Sequence, residues 1–183
     1  MKKTFTLLAF LMISGFLFSQ QIKEEIVGNP FKISYPSNYV KTYDLNDSAS
    51  LQIMNGIQEK FTIIIQDNIE ALDALKMNFA STEEAINFYA KGLISGLDEN
   101  NFKKISAPKN FLINGYNSTE ITIEGQTTDE ETNEKIEFFY LYTVIKTPYN
   151  YYQILSWSSL DNKKQFEEEF RNIAKSFKEI AVK

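Results

Sequence analysis

The sequence predicts an α+β fold in which a mostly antiparallel sheet carries helices on opposite faces. Three observations predict it. The run Ile136 to Ile145 is apolar on both sides of a two-residue period: Ile136, Phe138, Tyr140, Tyr142 and Val144 on one side, Phe139, Leu141 and Ile145 on the other. A strand apolar on both sides needs cover on both sides. Two other segments, one following Ser81 and one from Leu160 to Ile180, repeat apolar residues at helical spacing. Short turn signals, Asn114-Gly115 and Thr147-Pro148-Tyr149-Asn150, join the strand segments as antiparallel neighbours require.

The elements follow in chain order. Residues 20–29 are polar, end at Gly28, and read as a loose arm. Phe31-Lys32-Ile33-Ser34-Tyr35 alternates like a half-buried strand, and Pro36 stops it because proline cannot donate to a ladder. Tyr39 to Leu45 reads as a second strand, and Asn46-Asp47-Ser48 as a turn. Leu51 to Met54 and the β-branched run Phe61-Thr62-Ile63-Ile64-Ile65 are further strands, the latter suited to cover on both faces. Ile69 to Leu75 has the spacing of a short helix. Ser81 with Glu84 three residues on is a capping box. Ala85, Ile86, Tyr89, Ala90, Leu93 and Leu97 then mark the main helix, although Gly92 and Gly96 weaken it by about 1 kcal/mol each.

Beyond Asn100-Asn101 the chain returns to strands. Phe102 to Ile105 and Phe111 to Ile113 flank Pro108, and Tyr116 to Glu124 sets Thr119, Ile121 and Ile123 on one face. Residues 127–134 form an acidic connection. Ile136 to Ile145 is the central strand, and Tyr151 to Trp157 pairs back on it. A closing helix runs from about Leu160 to Ile180, with Phe166, Phe170, Ile173, Ala174, Phe177 and Ile180 in one stripe.

The first nineteen residues read as an address. Lys2 and Lys3 precede an uncharged apolar run from Phe5 to Phe18, shorter than the ~20 residues that span a bilayer. Ser19 and Gln20 flank the expected signal cleavage point, so the organisation is signal peptide 1–19, arm 20–29 and one domain 30–183. Export to the periplasm or beyond follows as an expectation, with no membrane span once the signal is removed. Cleavage takes away two lysines and no acid, leaving a chain more negative than the full sequence's −5. Such a surface repels nucleic acid and anionic lipid. No cysteine and no histidine occurs. That excludes disulfides, a cysteine-anchored lipid, thiol or imidazole catalysis, and imidazole or thiolate metal sites.

The opening Phe31-Lys32-Ile33-Ser34-Tyr35-Pro36 with Tyr39 shortly after resembles the start of PsbP-like domains. Tyr152-Gln153-Ile154, the Ser158-Ser159 pair and Ala174-Lys175-Ser176-Phe177-Lys178 resemble their end. The family's fold is shared with the extrinsic PsbP subunit of photosystem II and with a nuclear-transport factor that releases nucleotide from the Ran GTPase. The resemblance spans residues 30–180. It implies an α/β/α sandwich around an antiparallel sheet and a binding or assembly role without catalysis. The photosystem member's metal-binding histidines have no counterpart, and no functional residue carries over.

What chemistry remains is limited. Asp129, Glu130, Glu131 and Glu134 offer oxygen ligands but lack the spacing that wraps one cation, and they read as a solvated turn. Glu83 with Glu84, Glu120 with Glu124, and Glu167 to Glu169 are paired acids on polar faces, without the sheltered cleft that general acid–base work needs. No phosphate loop, nucleophile elbow or dinucleotide fingerprint occurs. No catalytic residue, metal or cofactor is therefore expected. Tyr149, Tyr151 and Trp157 are the candidate contact residues for a partner, expected to be another envelope protein, because amphipathic rings beside a tight turn suit protein contacts. The alternative is a carrier of a small apolar ligand, with a pocket in a curved sheet lined by Phe138, Phe139 and Tyr140.

Overall fold

The computed structural model describes residues 22–27, 31–95, 103–128 and 132–180. The strands are β1 (Ile22–Val27), β2 (Phe31–Pro36), β3 (Val40–Lys41), β4 (Ala49–Asn55) and β5 (Lys60–Asn68). Helices α1 (Ile69–Ala74) and α2 (Thr82–Ser95) follow, then β6 (Lys103–Ile105), β7 (Lys109–Ile113), β8 (Tyr116–Thr128), β9 (Lys135–Lys146) and β10 (Asn150–Ser159). A 3-10 turn (Leu160–Asn162) leads into α3 (Lys163–Lys175), and β11 (Lys178–Glu179) closes the described chain. The expected signal peptide with its Ser19–Gln20 junction, and Asp129, Glu130 and Glu131 of the acidic connection, lie outside the described residues.

The main sheet runs β3-β4-β5-β10-β9-β8-β6, with β7 paired to β8 on the same edge as β6. Every pairing is antiparallel. Side-chain alternation divides the core in two. Phe139, Leu141, Ile145, Tyr152 and Ile154 face α3, whose Phe166, Phe170, Ile173 and Ala174 form the matching stripe. Ile121, Ile123, Tyr142, Val144 and Tyr151 face α2 through Ala85, Ile86 and Ala90. The helices therefore sit on opposite faces of the sheet, as the two-sided β9 requires. A second sheet, β1-β2-β11, extends the α3 layer, and Phe31, Ile33 and Tyr35 join that core. No helix among the described residues is long and apolar enough to cross a membrane.

Four local expectations are corrected. The arm contains a strand: β1 pairs with β2 over Ile22↔Pro36 to Val27↔Phe31, which satisfies β2's outer edge, and Lys23 Nζ donates to the Tyr39 carbonyl at 3.1 Å. The strand foreseen over Tyr39 to Leu45 shrinks to Val40–Lys41: the Thr42 amide still donates to the Gln52 carbonyl at 3.1 Å, but the Leu45 and Asn46 amides turn to the Gln52 side-chain oxygen at 2.7 and 3.1 Å. The last helix stops at Lys175 instead of reaching Ile180. There the Ser176 hydroxyl accepts from the Ser34 amide at 2.8 Å, and the chain turns so that Lys178 and Glu179 pair with β2 while Phe177 stays buried. The central position belongs to β10, with β9 next to it.

Helix α2 begins as its sequence indicates: Ser81 Oγ accepts from the Glu84 amide at 3.1 Å, and Glu84 Oε2 accepts from the Ala80 amide at 2.6 Å. Its 14 residues extend about 21 Å, whereas the 12 residues of β9 extend about 40 Å. Among the described residues, one helix of that length spans about half the length of β9. That mismatch positions the candidate site.

Candidate functional site

The three candidate contact residues do not form one patch. Tyr149 projects from the β9–β10 turn and is 70% exposed. The turn beneath it is held by the Thr147 amide donating to the Asn150 carbonyl at 2.9 Å and by the Glu179 carboxylate, which accepts from Thr147 Oγ1, Asn150 Nδ2 and Tyr152 Oη at 2.8 to 3.2 Å. Burial first, then the Glu179 charge, pushes the Tyr152 phenol well above its ordinary pKa. Tyr151 is not exposed beside Tyr149: at 2% it belongs to the core under α2. Its ring meets Phe79 edge-on at 5.5 Å, and its hydroxyl donates to the Phe79 carbonyl at 3.3 Å. The cause is strand alternation, which turns Tyr151, Gln153, Leu155 and Trp157 to the α2 face. Trp157, six residues along β10, lies about 20 Å from Tyr151.

At that far end the same face is aromatic. Trp157 stacks on its cross-strand partner Phe61 at 5.2 Å with the planes 17° apart. Tyr140, its partner on the other side, lies 6.0 Å from Trp157 and 5.0 Å from Phe138. Phe61, Tyr140 and Trp157 are half-buried and Ile136 is exposed. These rings line an open groove of about 360 Å³ together with Glu59, Glu137, Ser158 and Ser159. Burial raises the Tyr140 phenol, so it stays protonated and can donate. Two larger hollows, about 520 and 570 Å³, flank the start of α2, with mixed polar linings such as Ser81, Glu83 and Lys146 or Asn78, Glu84 and Lys91.

The carrier geometry is corrected in one respect. Phe138 and Tyr140 share the groove, but Phe139 points to the other face and packs on Phe170 at 5.6 Å. Alternation along β9 turns Phe139 away from its neighbours Phe138 and Tyr140.

The paired acids are engaged elsewhere. Glu120 is 3% exposed instead of lying on a solvated face, because Arg171 reaches from α3 and grips it through Nε and Nη2 at 3.0 to 3.2 Å. Arg171 also binds Glu167 and Glu168. Glu124 accepts from Lys163 at 2.6 Å, and that bond, ahead of the opposing burial, holds its carboxyl below the usual value. Glu83 accepts from Asn110 Nδ2 at 3.0 Å. Among the described residues no three acids gather around a point where a metal ion would sit.

Two buried constellations have little trace in the sequence. Lys60, 1% exposed, pairs with Glu169 at 2.6 Å and lies over the rings of Tyr39 and Phe166 at 4.8 and 4.7 Å. Tyr39 Oη donates to the same carboxylate at 2.8 Å, and burial followed by the Glu169 charge raises that phenol far above its ordinary value. Under α2, Tyr142 donates to Gln153, whose amide donates to Asp67 at 2.6 Å. Lys60 in a strand-like run carries only a weak signal, and its partner is 109 residues away.

Among solved structures, the chain is similar to cyanobacterial PsbP from Synechocystis: 11% identity, TM-score 0.64, with 91% of this chain and 96% of that one covered. It is also similar to a protein from Bacteroides thetaiotaomicron, at 11% identity and TM-score 0.52, where 86% of this chain matches 48% of that one. No protein-family model and no curated protein sequence matches it. The fold is PsbP-like.

Proposed function

We propose that the protein is an exported, non-enzymatic binding module that acts through protein contacts in the cell envelope or outside it, and that it makes them at the groove of Phe61, Tyr140 and Trp157. The observation that carries the reading is the row of half-buried rings that, among the described residues, lines an open groove at the Trp157 end of the sheet face. Aromatic residues with an exposed edge, and tryptophan and tyrosine above all, concentrate the binding energy of protein contacts. The absence of catalysis is supported by Glu120, Glu124 and Glu169, which Arg171, Lys163 and Lys60 hold in ion pairs between elements. Export is supported by the signal-like run of residues 1–19. The PsbP-like fold is compatible with such a module. A carrier needs an enclosed apolar cavity of several hundred Å³, whereas this groove opens to solvent.

The test is site-directed photocross-linking. A benzophenone side chain at Tyr140 and, as control, one at Lys164 on the opposite layer are exposed to envelope extract. The reading expects a discrete protein adduct from position 140, lost in Trp157→Leu and missing from position 164. Equal labelling from both positions, or none from 140, overturns it.

A further inference from the structure

We infer that the groove accepts a basic segment of its partner, with an arginine guanidinium lying on Trp157 and Tyr140 and its charge met by Glu59 and Glu137; this rests on the groove being the contact surface. Three features point to that chemistry. First, the lining is aromatic. Phe61 and Trp157 stack on each other at 5.2 Å, 17° apart, and both stay half-exposed in the groove, with Tyr140 at 47° to Trp157 and Phe138 at 63° to Tyr140. Ring faces attract cations, tryptophan most strongly, and a guanidinium stacks where an ammonium cannot.

Second, the rim is negative. Glu59 stands at the end of the β4–β5 turn and Glu137 between Ile136 and Phe138, and neither forms an ion pair with a described residue, unlike Glu120, Glu124 and Glu169. Third, the chain as a whole carries −5, which steers a basic partner inward from a distance. The hollows beside α2 lack this combination, since Lys146 lines one and Lys76 and Lys91 the other.

Trp157 is the chain's single tryptophan, so its fluorescence reports on this groove directly. The probe is an acetylated, amidated peptide of four Gly-Arg repeats. Its neutral isostere carries citrulline in place of arginine. The inference expects a saturable change in Trp157 emission with the arginine peptide, at least tenfold weaker with the citrulline peptide and weakened by added salt. The double variant Glu59→Gln, Glu137→Gln should weaken the arginine peptide about tenfold, since each exposed pair contributes only a few-fold. Both positions are at the surface, so the variant keeps its fold.

Equal binding of the two peptides, an unchanged constant in the double variant, or no emission change overturns the inference. So does preferential saturation by maltohexaose or by decanoate. If the peptides fail while the adduct from position 140 persists, the arginine chemistry is wrong and the contact surface stands. If the adduct is missing as well, both fall.

Discussion

Removing the Glu169 carboxylate should cost far more than removing the lysine it holds. Lys60 Nζ is enclosed: its side chain is 1% exposed, with two ring faces at 4.7 and 4.8 Å and one carboxylate oxygen at 2.6 Å. In Glu169→Leu the ammonium keeps the rings but loses its counter-charge, and breaking a buried pair in this way costs about 3–5 kcal/mol. In Lys60→Met the chain still packs against Tyr39 and Phe166. Glu169, 18% exposed, keeps the Tyr39 hydrogen bond and reaches water, so the cost is about 1–2 kcal/mol. The double variant buries no charge and should lie within about 1 kcal/mol of the parent. Urea unfolding of the three variants at pH 7 gives the free energies, compared at equal slope. Two single losses of similar size that add in the double variant would refute the reasoning, because additivity means the two groups do not share a desolvated site.

Tyr151→Ala should lose about 3–5 kcal/mol of stability, as truncation of a buried aromatic does, whereas Tyr149→Ala should leave the melting temperature unchanged; thermal unfolding of the two variants checks this. Glu124, whose carboxyl the Lys163 bond holds below its unfolded value, contributes stability at pH above about 4.5 that is lost as pH falls through the folded value. Urea titrations between pH 6 and 3 should show a decline that is shallower in Lys163→Met.

Face assignments were legible wherever a period of two ran unbroken. Ile121 and Ile123 on β8, and the two sets on β9, fall into the two cores as their alternation indicates. The same rule, carried along β10 from Tyr151 to Trp157, puts both on the α2 face. What it cannot supply is how far a helix reaches over that face, which depends on where α2 packs, and so Tyr151 was buried and Trp157 left half-open. The end of α3 was misread because Phe177 and Ile180 continue the helical spacing, while the bonds that divert the chain come from Ser34, 142 residues earlier. The strand β1 escaped notice because its Lys and Glu residues are ordinary for an edge exposed to water. Glu120 looked solvated because Arg171, 51 residues on, has no local trace.

The central claim is that the far half of the α2 face is open at Trp157. Acrylamide quenching of the single tryptophan tests it without any partner. The account predicts emission from a half-exposed indole, quenched at a rate between those of free and buried tryptophan and protected when the groove is filled. A blue-shifted emission that acrylamide does not touch would mean that the rings are sealed into the core, and would contradict it.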